Sequence, residues 1–254
     1  MKTATILCVM GLAPAILAAA DAPYIGKWKL NPAKSQFTGE TLSIEKTSSG
    51  MIRQTSEGQS VMFKLDGKEY PTPEGGTIAV KEIAADTWET TSRLNGKVIL
   101  TGKMSVKGDT LSGEMVVHKP DGGTVPGSST STRVSGGPGF FGQWKNTQVK
   151  APFTSVEITA NGADGVTINY PEFGFTCSAK FDGKDYPAGG QFAGTKDTFV
   201  VKSTGPRSFE MTSKVDGKAV YVDTFSVSAD GKTLTDDGTP ITAREPIKAV
   251  FDRQ

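Results

Sequence analysis

The sequence has 254 residues, 36% hydrophobic and 22% charged, an ordinary globular balance that excludes disordered and fibrous classes. Lysine and arginine together number 28 against 27 acidic residues, and such near-neutrality argues against nucleic acid or anionic membrane as partners, both of which select a basic patch. One histidine and two cysteines leave little material for metal or nucleophilic chemistry.

Residues 1–20 read as a signal peptide. Lys2 supplies the positive start, Ile6 to Leu17 an apolar run, and Ala18-Ala19-Ala20 the small residues that a peptidase reads before Asp21. The run is too short for a membrane span, which needs about 20 apolar residues. Cys8 sits inside it with too little sequence before it for lipid attachment. Lys2 is the one charged residue of this segment, so the mature chain is formally neutral. It retains Cys177 alone, and so forms no internal disulfide although its compartment permits them. A bacterial periplasm or the cell exterior is the expected location.

After the leader the chain repeats itself. Tyr24-Ile25-Gly26-Lys27-Trp28-Lys29 returns as Phe140-Phe141-Gly142-Gln143-Trp144-Lys145, and Lys64-Leu65-Asp66-Gly67-Lys68-Glu69-Tyr70-Pro71 returns as Lys180-Phe181-Asp182-Gly183-Lys184-Asp185-Tyr186-Pro187. Further on, Trp88-Glu89 with Asn95-Gly96-Lys97 matches Phe209-Glu210 with Asp216-Gly217-Lys218 at a slightly larger offset. The repeats cover residues 23–135 and 140–254, and the Gly/Pro-rich residues 136–139 between them read as a flexible joint.

Within each copy the apolar period is two, the signature of half-buried strands. Phe173, Phe175, Cys177, Ala179 and Phe181 share one parity, as do Val61, Phe63 and Leu65, then Trp88, Thr90, Ser92 and Leu94, and Phe209, Met211, Ser213 and Val215. The Asx-Gly pairs at 66, 95, 121, 164, 182, 216 and 230 mark tight turns of the type I′ family between antiparallel neighbours. No helical stripe interrupts them. The runs between turns predict about eight strands per copy, enough to close an up-and-down barrel around side chains or one small ligand. The polar strand faces carry Lys, Glu, Thr and Ser, which argues against an outer-membrane barrel with an apolar exterior.

Each copy opens with Gly-x-Trp, at Gly26 to Trp28 and Gly142 to Trp144, and has an arginine near its end, Arg133 and Arg253. This resembles the lipocalin and calycin superfamily. The resemblance implies two tandem eight-stranded antiparallel barrels, with the Trp plugging the closed end and the Arg of the last strand lying over it. By that likeness Trp28 pairs with Arg133, and Trp144 with Arg253. The Gly-x-Trp-Lys-x-Asn run at Gly26 to Asn31, followed by Asp-Gly-Lys-x-Tyr-Pro, is also similar to secreted bacterial proteins of unassigned function. The Thr-Asp-Tyr motif of many lipocalins and their usual disulfide are missing.

Catalytic and metal chemistry find no constellation here. His118 is placed on the solvent side of its strand, opposite in parity to Leu111, Met115 and Val117, and Cys177 on the inward side, as an inert buried thiol. Asp236-Asp237-Gly238 comes nearest to a calcium loop but lacks its spacing, and reads as a solvated turn. No phosphate loop or cofactor motif is present. The repeated Asp-Gly-Lys-x-Tyr-Pro reads first as a hairpin turn with an aromatic anchor; alternatively Tyr70 and Tyr186 line a mouth. Thr90, Ser92 and Ser213 among inward aromatics suggest a lumen not wholly filled by bulky side chains. The expected function is therefore a non-enzymatic, exported binder of a small hydrophobic ligand, with Tyr70, Tyr186, Ser92 and Ser213 as candidate contacts. The alternative is a structural or protein-interaction module with filled barrels.

Overall fold

The structure, a computed structural model, describes residues 22–56, 58–241 and 246–254. The signal peptide expected over residues 1–20 lies outside them. Twenty strands and no helix occur among the described residues. The first ten are β1 (Gly26–Leu30), β2 (Thr41–Lys46), β3 (Ile52–Ser56), β4 (Gln59–Phe63), β5 (Asp66–Pro71), β6 (Thr77–Ala84), β7 (Thr87–Leu94), β8 (Lys97–Lys107), β9 (Thr110–His118) and β10 (Thr124–Ser135). The second ten are β11 (Gly142–Lys150), β12 (Ser155–Ala160), β13 (Gly165–Tyr170), β14 (Phe175–Lys180), β15 (Tyr186–Gly190), β16 (Asp197–Gly205), β17 (Ser208–Val215), β18 (Lys218–Val227), β19 (Thr233–Pro240) and β20 (Ile247–Arg253).

They make two antiparallel, up-and-down sheets of ten strands, not eight. The shortfall in the sequence reading comes from turns that Asx-Gly does not mark. The β2–β3 hairpin turns on Ser48-Ser49-Gly50, closed by Thr47 N–H to Met51 O at 2.8 Å, and β13–β14 turns on Pro171 to Gly174. Among the Asx-Gly pairs, both residues take positive φ only at Asn95-Gly96 (49° and 75°) and Asp216-Gly217 (51° and 75°), the type I′ geometry expected. The others turn differently, because the Asx residue keeps negative φ.

The two sheets exchange their first strands. One sheet is a closed barrel in which β1, from the first repeat, sits between β12 and β20 of the second. The other runs β4-β3-β2-β11-β10-β9-β8-β7-β6-β5 and takes β11, from the second repeat, between β2 and β10 of the first. Its end strands β4 and β5 lie side by side, giving a barrel-like sheet. We call these the second and the first barrel after the repeat that supplies most of each. Residues 136–139, read as a joint between copies, are instead part of the tight β10–β11 loop within the first barrel. That loop explains the exchange. A short connection pairs consecutive strands directly, which carries β11 into the first barrel and leaves the matching gap in the second for β1. The chain crosses between barrels at residues 31–40 and 151–154. Both crossings are pinned: Asn31 donates to Asp252 Oδ2 at 2.6 Å and Lys34 pairs with Asp252 at 2.8 Å, while Glu172 accepts from the Thr154 N–H at 3.0 Å.

The expected Trp–Arg contacts form with the partners exchanged. Trp28 faces Arg253 across the β1–β20 ladder, with the guanidinium 4.2 Å from the ring centroid. Trp144 faces Arg133 across β10–β11, at 4.0 Å. Each indole N–H donates 2.9 Å to a backbone carbonyl four residues earlier, Tyr24 or Phe140. Each arginine also ties down loops: Arg253 donates to Gly231 O at 2.6 Å and Arg133 to Gly139 O at 2.8 Å. The glycines of the two Gly-x-Trp motifs now have a steric reason. A Cβ on Gly26 (φ 148°) would lie 2.9 Å from the Arg253 guanidinium, and one on Gly142 (φ 142°) 2.1 Å from Ser135 O.

Candidate ligand-binding site

The inward residues of the second barrel grade from plug to cavity. Along β20 they run Arg253, Phe251, Ala249, Ile247; along β18, Phe225, Asp223, Tyr221; along β19, Leu234, Asp236, Gly238. The Trp28 end is solid, with Phe209 stacked on Phe225 at 4.7 Å and Tyr24 edge-on to Phe209 at 5.0 Å. Phe251, Leu234 and Val201 complete it, all fully buried.

Toward the other end the packing gives way to a cavity of about 430 Å³, within the roughly 300–1,000 Å³ usual for small-molecule sites. Its walls are chiefly aromatic. Phe175 meets Phe199 at 5.1 Å and Phe192 at 5.7 Å, both edge-on, and Phe153 meets Tyr170 and Phe37 at 5.9 and 6.0 Å. The exchange contributes here too: Phe37 comes from the first crossing and Phe153 from the second. Phe192 lies on the loop after β15, which the first barrel steadies. Asn95 Nδ2 donates to the carbonyls of Gln191 and Ala193, both at 3.1 Å, and the Lys196 N–H to Glu74 O at 3.0 Å.

Three carboxylates enter this aromatic wall: Asp197, Asp223 and Asp236. Asp236 is only 9% exposed. Its Oδ2 accepts the Tyr170 hydroxyl at 3.3 Å, and its Oδ1, buried, has no hydrogen-bond partner. Burial pushes its carboxyl up to about 7, with the Tyr170 bond opposing and the Asp237 charge adding to the rise. Burial also raises Asp197, against the bond from Thr195 Oγ1 at 3.1 Å. Tyr170 is raised well above the usual phenol value, first by burial and then by the charges of Asp236 and Asp223. Gly238 makes the space for Tyr221, whose ring edge would lie 2.5 Å from any Cβ there.

Asp236 is therefore no solvated turn. It is the inward middle of β19, on the parity of Leu234, while Asp237 points outward opposite Lys248. That shared parity was the signal that sequence reasoning passed over. Among the other sequence candidates, Ser213 lines the cavity. Ser92 occupies the corresponding place in the first barrel, opposite Ile78 and Leu100, half-buried. Tyr70 and Tyr186 lock their own turns. Tyr70 donates to Asp66 at 3.0 Å and Tyr186 to Asp182 at 3.1 Å, while the same aspartates accept the Lys68 and Lys184 N–H groups. His118 lies on the outward face of β9, as expected from its parity, but it is half-buried there, with its Nε2 paired to Thr101 Oγ1 at 3.0 Å. Cys177 is wholly buried and its thiol is pushed up to about 12 by desolvation, the inert state expected.

Among the described residues no three His, Cys, Asp or Glu side chains converge closely enough to hold a metal ion, and no helix is long and apolar enough to cross a membrane. Comparison with known proteins finds no matching family model, no matching curated protein and no matching solved structure.

Proposed function

We propose that this chain is an exported carrier or receptor for a small, largely apolar molecule held in the second barrel, without covalent chemistry. The observation that carries the reading is the cavity of about 430 Å³ above a fully packed plug, walled by aromatic rings from both repeats. Filled barrels serving only as scaffold or protein-interaction module would have no use for such a space. The likeness of the Gly-x-Trp and Arg pairs to lipocalins supports the same reading, as does the leader-like stretch at residues 1–20 for export.

Titration with the neutral naphthalene dye 6-propionyl-2-(dimethylamino)naphthalene tests the site. Saturable one-to-one binding with a blue-shifted emission is expected, and it should be lost in Ala249→Phe, which projects a ring into the cavity. A folded protein that fails to bind the dye, or an Ala249→Phe variant that binds it unchanged, overturns the proposal. For export, the intact mass of protein recovered from outside the cytoplasm should correspond to a chain beginning at Asp21; retention of residues 1–20 would refute it.

A further inference from the structure

We propose that the ligand of this cavity is an organic cation, a protonated amine on an apolar body, whose ammonium is received by Asp236 Oδ1 among the surrounding aromatic rings. The inference rests on the binding role proposed above and names its chemical class.

The first observation is the orphan oxygen. Asp236 Oδ1 is buried without a partner, in a wall that contains three carboxylates and, among the described residues, no Lys, Arg or His. Leaving a carboxylate oxygen so placed is costly unless a donor or cation meets it. A bound ammonium supplies both. Aromatic rings are the second element of such a site, because their faces attract cations, more strongly where water is excluded.

The fold itself does not require these carboxylates, as the first barrel shows. In the second barrel Phe199 stands opposite Ser213 and Ser213 opposite Tyr221; in the first, Ile78 stands opposite Ser92 and Ser92 opposite Leu100. Extending that register, Asp197 corresponds to Gly76, Asp223 to Gly102, and Asp236, opposite Phe225, to Gly113, opposite Met104. All three acids stand where the sister barrel has glycine. An inward aspartate in place of an inward glycine contributes nothing to packing that the same strands need, so its presence points to a ligand. A metal ion is the wrong occupant, since no three of the acids converge on one point. A cation carried on an apolar frame fits carboxylates spread over an aromatic wall.

Displacement of the neutral dye by three compounds of one shape, 2-naphthylmethylamine, 2-naphthylmethanol and 2-naphthoate, tests the inference. The amine should bind on the order of 30-fold more tightly than the alcohol, and the carboxylate most weakly. In Asp236→Asn the amine-to-alcohol ratio should fall toward one. On the unmodified protein the same ratio should rise as pH is raised through about 7, where Asp236 loses its proton. The groups around Asp236 do not reverse this trend: Tyr170 is held well above the usual phenol value, the other two acids of the wall, Asp223 and Asp197, can only favour a cation, as does the neighbouring Asp237, and Ile247 and Ala249 on β20 do not titrate. Equal binding of amine and alcohol, or a preference that survives in Asp236→Asn and is flat with pH, overturns the cation proposal while leaving the cavity's binding role intact. Failure of the dye itself to bind removes the binding role instead.

Discussion

Asp236 carries a stability cost that can be measured apart from any ligand. Its carboxyl holds a proton more tightly in the folded state, up to about 7, than in the unfolded chain, so the folded state binds more protons between the ordinary carboxylate range and neutrality. Stability must then decline as pH rises through that window, on the order of 4 kcal/mol for this group alone. Asp236→Asn keeps an acceptor for the Tyr170 hydroxyl and removes the charge. It is expected to raise the melting temperature above pH 7 and to flatten the decline, as followed by thermal unfolding across pH; a variant less stable than its parent at alkaline pH would contradict this. Functional sites characteristically hold such uncompensated groups. At this scale the sequence was only partly legible. Ser213 and Cys177 could be placed inward from alternation alone, because their neighbours are apolar. Asp236 could not, because the adjacent Asp237 and Gly238 imitate a turn and only the parity with Leu234 speaks against it.

At the scale of strands, each barrel joins an arginine and an indole from different repeats across neighbouring strands. A double-mutant cycle can read this directly. Trp28→Phe and Arg253→Ala should couple by roughly 0.5–2 kcal/mol, and Trp28→Phe with Arg133→Ala should show no coupling. The reverse pattern would place β1 back in its own repeat. Period-two alternation, the repeat and the Trp–Arg signature were all readable in the chain, since each depends on local sequence. Which arginine meets which tryptophan was not readable. Gly26-Lys27-Trp28-Lys29 and Gly142-Gln143-Trp144-Lys145 offer the same groups to either barrel, and the choice depends on the loop at 136–141, which composition alone describes as a joint. The strand count failed for a related reason: Ser48-Ser49-Gly50 and Pro171 to Gly174 turn the chain as effectively as Asx-Gly does.

For the molecule as a whole, the exchange removes the independence that two tandem copies suggest. Each barrel is completed by the other repeat, and Phe37, Phe153 and the Asn95 contact tie the first barrel to the rim of the cavity. The full chain is expected to unfold in one transition with matching calorimetric and van't Hoff enthalpies, and Arg253→Ala should shift that single transition without splitting it. Two resolved transitions, of which Arg253→Ala moves one, would show separate domains. The exchanged strands also have a consequence for how the topology is encoded. A twin arrangement exists on paper in which each Gly-x-Trp strand returns to its own copy, with equivalent ladders and equivalent Trp–Arg contacts, so side-chain recognition is nearly blind to the difference. The tethers decide. Residues 31–40, 136–141 and 151–154 act as an address label for two closely similar parts, and a few residues added to or removed from them could redirect a strand while leaving it a Trp–Arg contact to make.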